Sequence, residues 1–169
     1  MMKQKPLISY VVTTFNIEEY VKEAVTCAFA QTYTPLEIIL SDDCSSDRTF
    51  DIMKQMVDEY KGPHKVVLNR NETNLGITRH MNRAYLELAN GEIIVAAHGD
   101  DVSKPERTAL SWSYLSSHPN VTVLSFGIDA INEHGRLLAK HSSYVETPRF
   151  YSFMGGVISL HHRALSING

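Results

Sequence analysis

The sequence lacks the loops with which the commonest nucleotide enzymes hold phosphate. No G-x-G-x-x-G follows its first apolar run, and no G-x-x-x-x-G-K-[ST] occurs anywhere. A dinucleotide dehydrogenase and a P-loop NTPase are therefore disfavoured. No Gly-x-Ser-x-Gly elbow occurs either, so a serine hydrolase has no support. Cysteine is scarce: Cys27 and Cys44 lie far apart and match no metal or redox spacing. They are expected as free thiols in a reducing compartment, Cys27 as a small core residue. No apolar run reaches the length of a membrane span, and Met1-Met2-Lys3-Gln4-Lys5-Pro6 lacks the apolar core of a signal peptide, so the cytoplasm is the default expectation. A formal net charge of −3, with Lys and Arg scattered, leaves no basic footprint for nucleic acid. Low-complexity segments and solenoid-length repeats are absent too.

What is present suits a globular chain: 169 residues, 43% hydrophobic and 21% charged, enough for one domain with a substantial core. Its organising stretch is His98-Gly99-Asp100-Asp101. This follows Glu92–Ala97, an apolar run that reads as a fully buried strand, and precedes Ser103-Lys104-Pro105-Glu106, where Pro105 suits a first helical turn. Adjacent half-desolvated carboxylates repel unless a cation or a set of donors compensates. An oxygen-liking Mg²⁺ or Mn²⁺ brought in with a phosphate would do so. The plainer alternative is a capped strand–helix turn with two solvated aspartates.

Taken in order, Leu7–Val12 is an interior strand, and Asn16 is placed to cap a helix carrying Tyr20, Val21, Ala24, Val25, Ala28 and Phe29 on one face. Leu36–Leu40 is a second strand running into Ser41-Asp42-Asp43-Cys44-Ser45-Ser46-Asp47, a stretch of capping and hydrogen-bonding side chains. A helix with Ile52, Met53, Met56, Val57 and Tyr60 inward follows, stopped by Gly62-Pro63. Lys65–Asn69 is a short third strand. Asn74-Leu75-Gly76 opens a helix with Ile77, Met81, Ala84, Tyr85 and Leu88 on one side, ended by Asn90-Gly91 in left-handed conformation. After the acidic stretch, Thr108–Ser117 continues as helix with Leu110, Tyr114 and Leu115 inward and Trp112 unassigned. Val121–Ile128 is a further strand, and Asn132-Glu133-His134-Gly135 turns a hairpin into Arg136–His141. Gly155–His161 reads as a strand and Arg163–Ile167 as the start of another element. The end at Asn168-Gly169 reads as a truncation of one domain, residues 1–169, with its acceptor side incomplete.

This alternation predicts an α/β fold: a mostly parallel, Rossmann-like open sheet with helices on both faces and an antiparallel hairpin addition. Parallel strands would bring Thr13–Asn16, Asp42–Asp47 and His98–Asp101 to one sheet edge, where open α/β sheets bind ligands.

Pro6-Leu-Ile-Ser-Tyr-Val-Val-Thr-Thr-Phe-Asn16, Gln31-Thr32-Tyr33, Glu37-Ile-Ile-Leu-Ser-Asp-Asp-Cys-Ser-Ser-Asp47, Asn74-Leu-Gly-Ile-Thr-Arg79, Ala89-Asn-Gly-Glu-Ile-Ile94 and Gly99-Asp-Asp101 through Pro105 come in the order of a known pattern. Over about residues 6 to 115 the chain resembles a family 2 glycosyltransferase of the GT-A fold. The resemblance implies a nucleotide-diphosphate sugar donor, with a UDP-sugar favoured, a divalent metal, and transfer with inversion to an unknown glycan or lipid-linked acceptor in cell-surface polysaccharide synthesis. It also leaves room for peripheral membrane association through segments outside this chain. By position, Thr13 and Phe15 border the nucleobase and Asp43 accepts a hydrogen bond from it, the rival role for Asp43 being a loop brace. Arg79 approaches the diphosphate, or is simply an exposed helix arginine. Asp100 falls on the second acidic position of the family's DxD motif and is the metal ligand; Asp101 supports it or faces the sugar.

The pattern is broken at His98, where the family has an acidic residue. A neutral imidazole could hydrogen-bond a ribose or ligate Mn²⁺, or be a satisfied strand-end histidine. Thr13 stands for the common Pro. The catalytic base stays unassigned: inverting transfer needs a carboxylate within reach of the acceptor hydroxyl, and Glu146, the only acid after His141, has a loop-like context. Of His161 and His162, at most one would point into a sugar site, because strand neighbours face opposite ways. Two competing readings are a nucleotide-sugar-binding module without turnover and a nucleotidyltransferase, which would want a basic, Gly-rich loop after the first strand.

Overall fold

The computed structural model describes residues 4–124, 126, 128–132, 136–141, 146–147 and 163–166. Expectations for 155–161, including His161, and for His162 lie outside these residues. The described chain forms β1 (Ile8–Thr14), α1 (Val21–Phe29), β2 (Leu36–Asp42), α2 (Thr49–Glu59), β3 (Lys65–Arg70), α3 (Ile77–Asn82), a π-helical continuation over Arg83–Leu88, and β4 (Ile93–His98). It continues with α4 (Arg107–Ser117), β5 (Val123–Leu124), β6 (Ile128–Ile131), β7 (Leu137–His141), β8 (Glu146–Thr147) and β9 (Arg163–Ser166).

The main sheet has the order β3-β2-β1-β4-β9, all parallel. Two crossovers step outward from β1 to β3. The next returns past β1 to β4, so strand order reverses between β1 and β4, the point at which such sheets open a crevice at their carboxyl ends. Side-chain alternation then decides which helix covers which face. Ile8, Tyr10, Val12, Ile38, Leu40, Ile93, Val95 and Ala97 form one core with Val21, Ala24, Val25 and Ala28 of α1, Met53 of α2 and Leu115 of α4. Val11, Ile39 and Ile94 point the other way and pack on Ala84 and Tyr85. Each fully buried aliphatic side chain here contributes roughly 1.5–3 kcal/mol.

Several local expectations give way to tertiary contacts. Asn16 caps no helix: α1 starts at Val21, and Asn16 is left-handed at φ 51°. Its Oδ1 instead accepts the Ser46 amide at 2.8 Å. Ile77 is 80% exposed and Leu110 55% exposed, while Trp112 packs against the main core. Ile77 is the first residue of α3 and stays outside the second core, which Met81, Ala84, Tyr85 and Leu88 share. Val121–Ile128 is two short strands, β5 and β6; β6 pairs antiparallel with β7 as the predicted hairpin. Glu146 lies in β8, paired with Leu124, rather than in a loop. Cys27 is a free thiol, but only partly buried.

Asn90-Gly91 ends its helix without a left-handed residue. A side chain at Gly91 would put Cβ 2.5 Å from the Ser9 amide, so the glycine is required for close approach to β1. The Gly91 amide donates to Ser9 Oγ at 2.8 Å, and Ser9 Oγ donates to Glu37 Oε1 at 2.7 Å. Glu37, buried on β2, also accepts the Asn90 amide at 2.6 Å and faces Lys65 Nζ at 3.5 Å. This carboxylate ties β1, β2, β3 and the β4 approach together at the amino edge of the sheet, opposite the crevice.

Burial pushes the Glu37 pKa up, but the Ser9 hydroxyl, the Asn90 donors and Lys65 together hold it below the usual value. A depressed carboxylate contributes stability above its unfolded pKa, about 4.3, and loses it as pH falls through the folded value. Glu37→Gln should cost about 1–3 kcal/mol at neutral pH through imperfectly paired buried groups. The gap to the wild type should narrow from about pH 4.3 downward. Urea melts across pH check this, and a gap that does not change with pH would refute it.

Candidate donor-binding site

The crevice rim is built by backbone that keeps pairing beyond the strands. Thr13 is opposite both Ser41 and His98, and Thr14 is opposite Asp42. Past the ladder, the Asp43 amide donates to Thr14 O and the Gly99 amide to Thr13 O, both at 3.0 Å. Asp43 and the acidic turn therefore flank β1 on the same edge, about two strand spacings, or ~10 Å, apart.

The acids on this rim have different states. Asp42 is fully buried: it accepts the Ser45 amide at 2.9 Å, the Ser45 hydroxyl and Thr14 Oγ1, and faces Arg70 Nε at 3.6 Å. Asp43 is 2% exposed; its Oδ1 accepts Asn71 Nδ2 at 2.8 Å and the Leu75 amide at 2.9 Å, and its Oδ2 accepts the Gly76 amide at 2.9 Å. This is loop-brace geometry, the rival role of the sequence reading. By lone-pair count, Oδ2 keeps one acceptor position beyond the brace. Asp101 turns back on its own strand, Oδ2 accepting the His98 amide at 3.2 Å. Burial lifts its pKa above the ordinary value; the His98 amide and His98 ring pull it down, the like charge of Asp100 pushes it up, and Arg107 pulls it down. Asp100 alone among these four stands exposed.

His98 Nδ1 lies 3.0 Å from Thr13 Oγ1, which anchors the ring to β1 and leaves Nε2 without a protein hydrogen bond among the described residues. Phe15, directly after β1, is 46% exposed. Arg79 is exposed in the first turn of α3, which leaves the rim through the brace at Asp43. Among the described residues no group of three or more His, Cys, Asp or Glu could hold a metal ion. What the rim offers a cation is the Asp100 carboxylate and the free nitrogen of His98. That set fits a metal completing its shell with phosphate oxygens rather than an all-protein cage.

Three structural supports were not visible as such in the sequence. Gln31 Oε1 accepts the Thr108 amide and hydroxyl, both at 3.0 Å, and its Nε2 donates to Lys104 O at 3.0 Å. The Gln31-Thr32 pair thus clamps the segment that follows the acidic turn, with Thr32 N on Pro105 O at 3.0 Å. Arg107, buried beneath that segment, donates to Ser103 Oγ and to Ala96 O, each at 2.6 Å. Its register with Ser111 and Leu115 on the buried face of α4 was the available signal. His80 is the third.

Gly99 has no room for a side chain: Cβ would lie 2.1 Å from Ile17 Cδ1 and 2.7 Å from Thr14 Cγ2. Ile17 can swing away, but Thr14 is held in β1. Gly99→Ala should therefore destabilise the fold by about 1–3 kcal/mol through overpacking and displace Asp100 outward. Thermal melts check the first effect, and an unchanged melting temperature would show that the turn has slack.

The sequence profile described as "Glycosyl transferase family 2" matches residues 9–164. EpsE of Bacillus subtilis, whose glycosyltransferase assignment is provisional, is 31% identical over 134 residues, spanning 79% of this chain and 47% of that protein. The chain thus spans about half, or less, of the length of the curated relatives it matches. Staphylococcus aureus TarS 1–349, solved with UDP-GlcNAc, superposes with a TM-score of 0.63 at 26% identity, over 74% of this chain and 35% of that one. A mannosyltransferase from Pyrobaculum calidifontis, solved with GDP-Man and Mn²⁺, gives a TM-score of 0.66 at 21% identity, over 76% of this chain and 37% of that one, and supports the fold alone. With a rim that opens at the strand-order reversal and a profile matched along most of its length, this chain belongs to glycosyl transferase family 2 and has the GT-A fold.

Proposed function

We propose that this chain is the donor-binding part of a glycosyltransferase that takes a sugar from a nucleotide-diphosphate donor, a UDP-sugar by preference, for a cell-surface polysaccharide or other glycan. The observation that carries the reading is the common rim: Thr13, Phe15, Asp43 and Asp100 belong to three adjacent parallel strand ends at the strand-order reversal. The preference for uridine draws on TarS, a β-N-acetylglucosaminyltransferase solved with UDP and with UDP-GlcNAc.

In this reading the exposed Phe15 ring and Thr13 border the base, and the remaining acceptor position of Asp43 takes a hydrogen bond from a base N–H. A charge-assisted bond of this kind is worth about 1.5–3 kcal/mol. Arg79 approaches the diphosphate from α3. Asp100 and His98 Nε2 would hold Mn²⁺ or Mg²⁺, which when bound supplies charge neutralisation of the leaving nucleotide diphosphate. Asp101, already engaged with the His98 amide, supports the turn rather than the metal. Inversion rests on the family resemblance, and no residue is assigned as base.

Isothermal titration of UDP, GDP and their sugars with and without Mn²⁺ tests the reading. Uridine diphosphates should bind more tightly with Mn²⁺, and Asp100→Ala should abolish that gain while leaving metal-free binding largely intact. Phe15→Ala should weaken both by about 1–3 kcal/mol, the worth of one stacked base. Transfer or hydrolysis of the sugar then separates an enzyme from a module that only binds. If no nucleotide diphosphate binds, the donor reading fails.

A further inference from the structure

Beneath the rim lies a buried histidine that the donor reading does not use. His80, 4% exposed on α3, places Nε2 2.9 Å from Ser41 Oγ at the end of β2. Ser41 Oγ accepts Asn69 Nδ2 at 3.0 Å, and the same amide group lies 3.1 Å from Asn71 Oδ1. Asn71 Nδ2 donates to Asp43 Oδ1 at 2.8 Å, and Asp43 holds the amides of Leu75 and Gly76. The His80 amide donates to Gly76 O at 3.0 Å, which closes the circuit. The polar ring therefore runs from His80 through β2, β3 and the 71–76 turn back to His80.

Outside that ring the turn is held by the Asn71 amide on Asp42 O at 2.8 Å and by Asn74 Oδ1, which accepts the Gly76 amide at 2.9 Å. Residues 72–74 and 76–79 are all exposed, Leu75 is only half-buried, and Gly76 is left-handed at φ 75°. With almost no apolar surface to bury, the turn's position depends on its polar pins. A buried network with every member paired is stiff, and one missing member leaves the others unsatisfied. Burial pulls the His80 pKa down, while Asp43, Asp42 and the Ser41 carbonyl push it up and Arg83 pulls it down again. The net fall favours a neutral ring, suited to hydrogen bonding with a hydroxyl.

We propose that His80 is a positioning residue of the donor site: through Ser41, Asn69 and Asn71 it fixes the Asp43 carboxylate and the turn that delivers Arg79 to the donor diphosphate. This rests on the donor reading for its functional half only; the positional half stands on the network alone. Amide hydrogen exchange read by NMR tests that half without any nucleotide. In His80→Ala, and in Ser41→Ala should the first fail to fold, exchange at the Leu75 amide should rise at least tenfold while the β1 and β2 amides stay protected. His80→Gln, whose amide can still reach Ser41, should restore most of the protection. Titration with UDP and Mn²⁺ tests the functional half: His80→Ala should weaken binding about tenfold, and Arg79→Ala should then weaken it little further, because Arg79 is already misplaced. Unchanged exchange at Leu75 in a folded variant overturns the proposal, as do losses that simply multiply. A wild-type chain that binds no UDP removes the donor reading and the functional half with it, whatever the exchange shows.

Discussion

The structure depends on β1 being paired on both sides by parallel strands that end where it ends. Ile8–Thr14 is buried along its whole length and is matched residue for residue by β2, and over all but its last residue by β4. Parallel strands offer no tight turn between neighbours, so every connection must leave the sheet and return. The amino ends are consequently free to be closed by packing and the carboxyl ends to be opened by loops. Gly91 against Ser9, with Glu37 behind them, closes the first. At the other edge the loops after β1, β2 and β4 are left with unpaired backbone groups that must find partners among themselves.

They do so by mutual bracing. The loop after β1 and the loop after β2 exchange bonds in both directions: the Asn16 amide donates to Ser45 Oγ while Asn16 Oδ1 accepts the Ser46 amide. The Glu18 amide donates to Asp47 Oδ2 while Glu18 Oε2 accepts the Arg48 amide. Ile17 adds a bond from its amide to Thr49 Oγ1 at 2.8 Å. Left-handed conformations at Asn16 and Cys44 are the backbone cost of this fit, of order 1–2 kcal/mol for a residue other than glycine. Asparagine tolerates it better than most, since its short polar side chain bonds locally. The rim is thus braced by bonds within the chain itself, a condition under which less ordering is needed when a ligand binds.

Much of this arrangement was legible in the sequence, for identifiable reasons. Strand–helix alternation and continuous apolar runs are strong signals because both faces of a parallel sheet are buried, so β1, β2 and β4 and the convergence of their ends could be read directly. Failures cluster where a side chain serves a distant partner. Asn16 has the chemistry of a cap but faces Ser46, thirty residues on. Asn90-Gly91 has the composition of a left-handed stop, yet the glycine answers to β1. Ile77 fits the helical stripe by spacing, yet as the first residue of α3 it stays exposed. The polar clamps at Gln31 and His80 carry no periodic signature, since each is defined by what lies across the sheet or under the loop, and the helical register of Arg107 marks it as inward without naming its partners.

The same distinction sorts the acids of the rim. A sequence presents Asp42, Asp43, Asp100 and Asp101 as two equivalent pairs, and repulsion within each would suggest two cation sites. In the fold, internal donors engage both members of one pair: Asp42 by Ser45, Thr14 and Arg70, and Asp43 by Asn71, Leu75 and Gly76, which leave Asp43 a single acceptor position on Oδ2. In the other pair Asp101 is committed to the His98 amide. One exposed carboxylate remains, beside an imidazole that brings no negative charge. Hard divalent cations with so few protein ligands retain water or take oxygens from a phosphate. Any cation at this rim therefore depends on its ligand's own oxygens for most of its shell, and the protein alone should hold it weakly. Metal and nucleotide binding would then be thermodynamically linked, each strengthening the other by the same factor. That linkage follows from where the buried donors of the rim point.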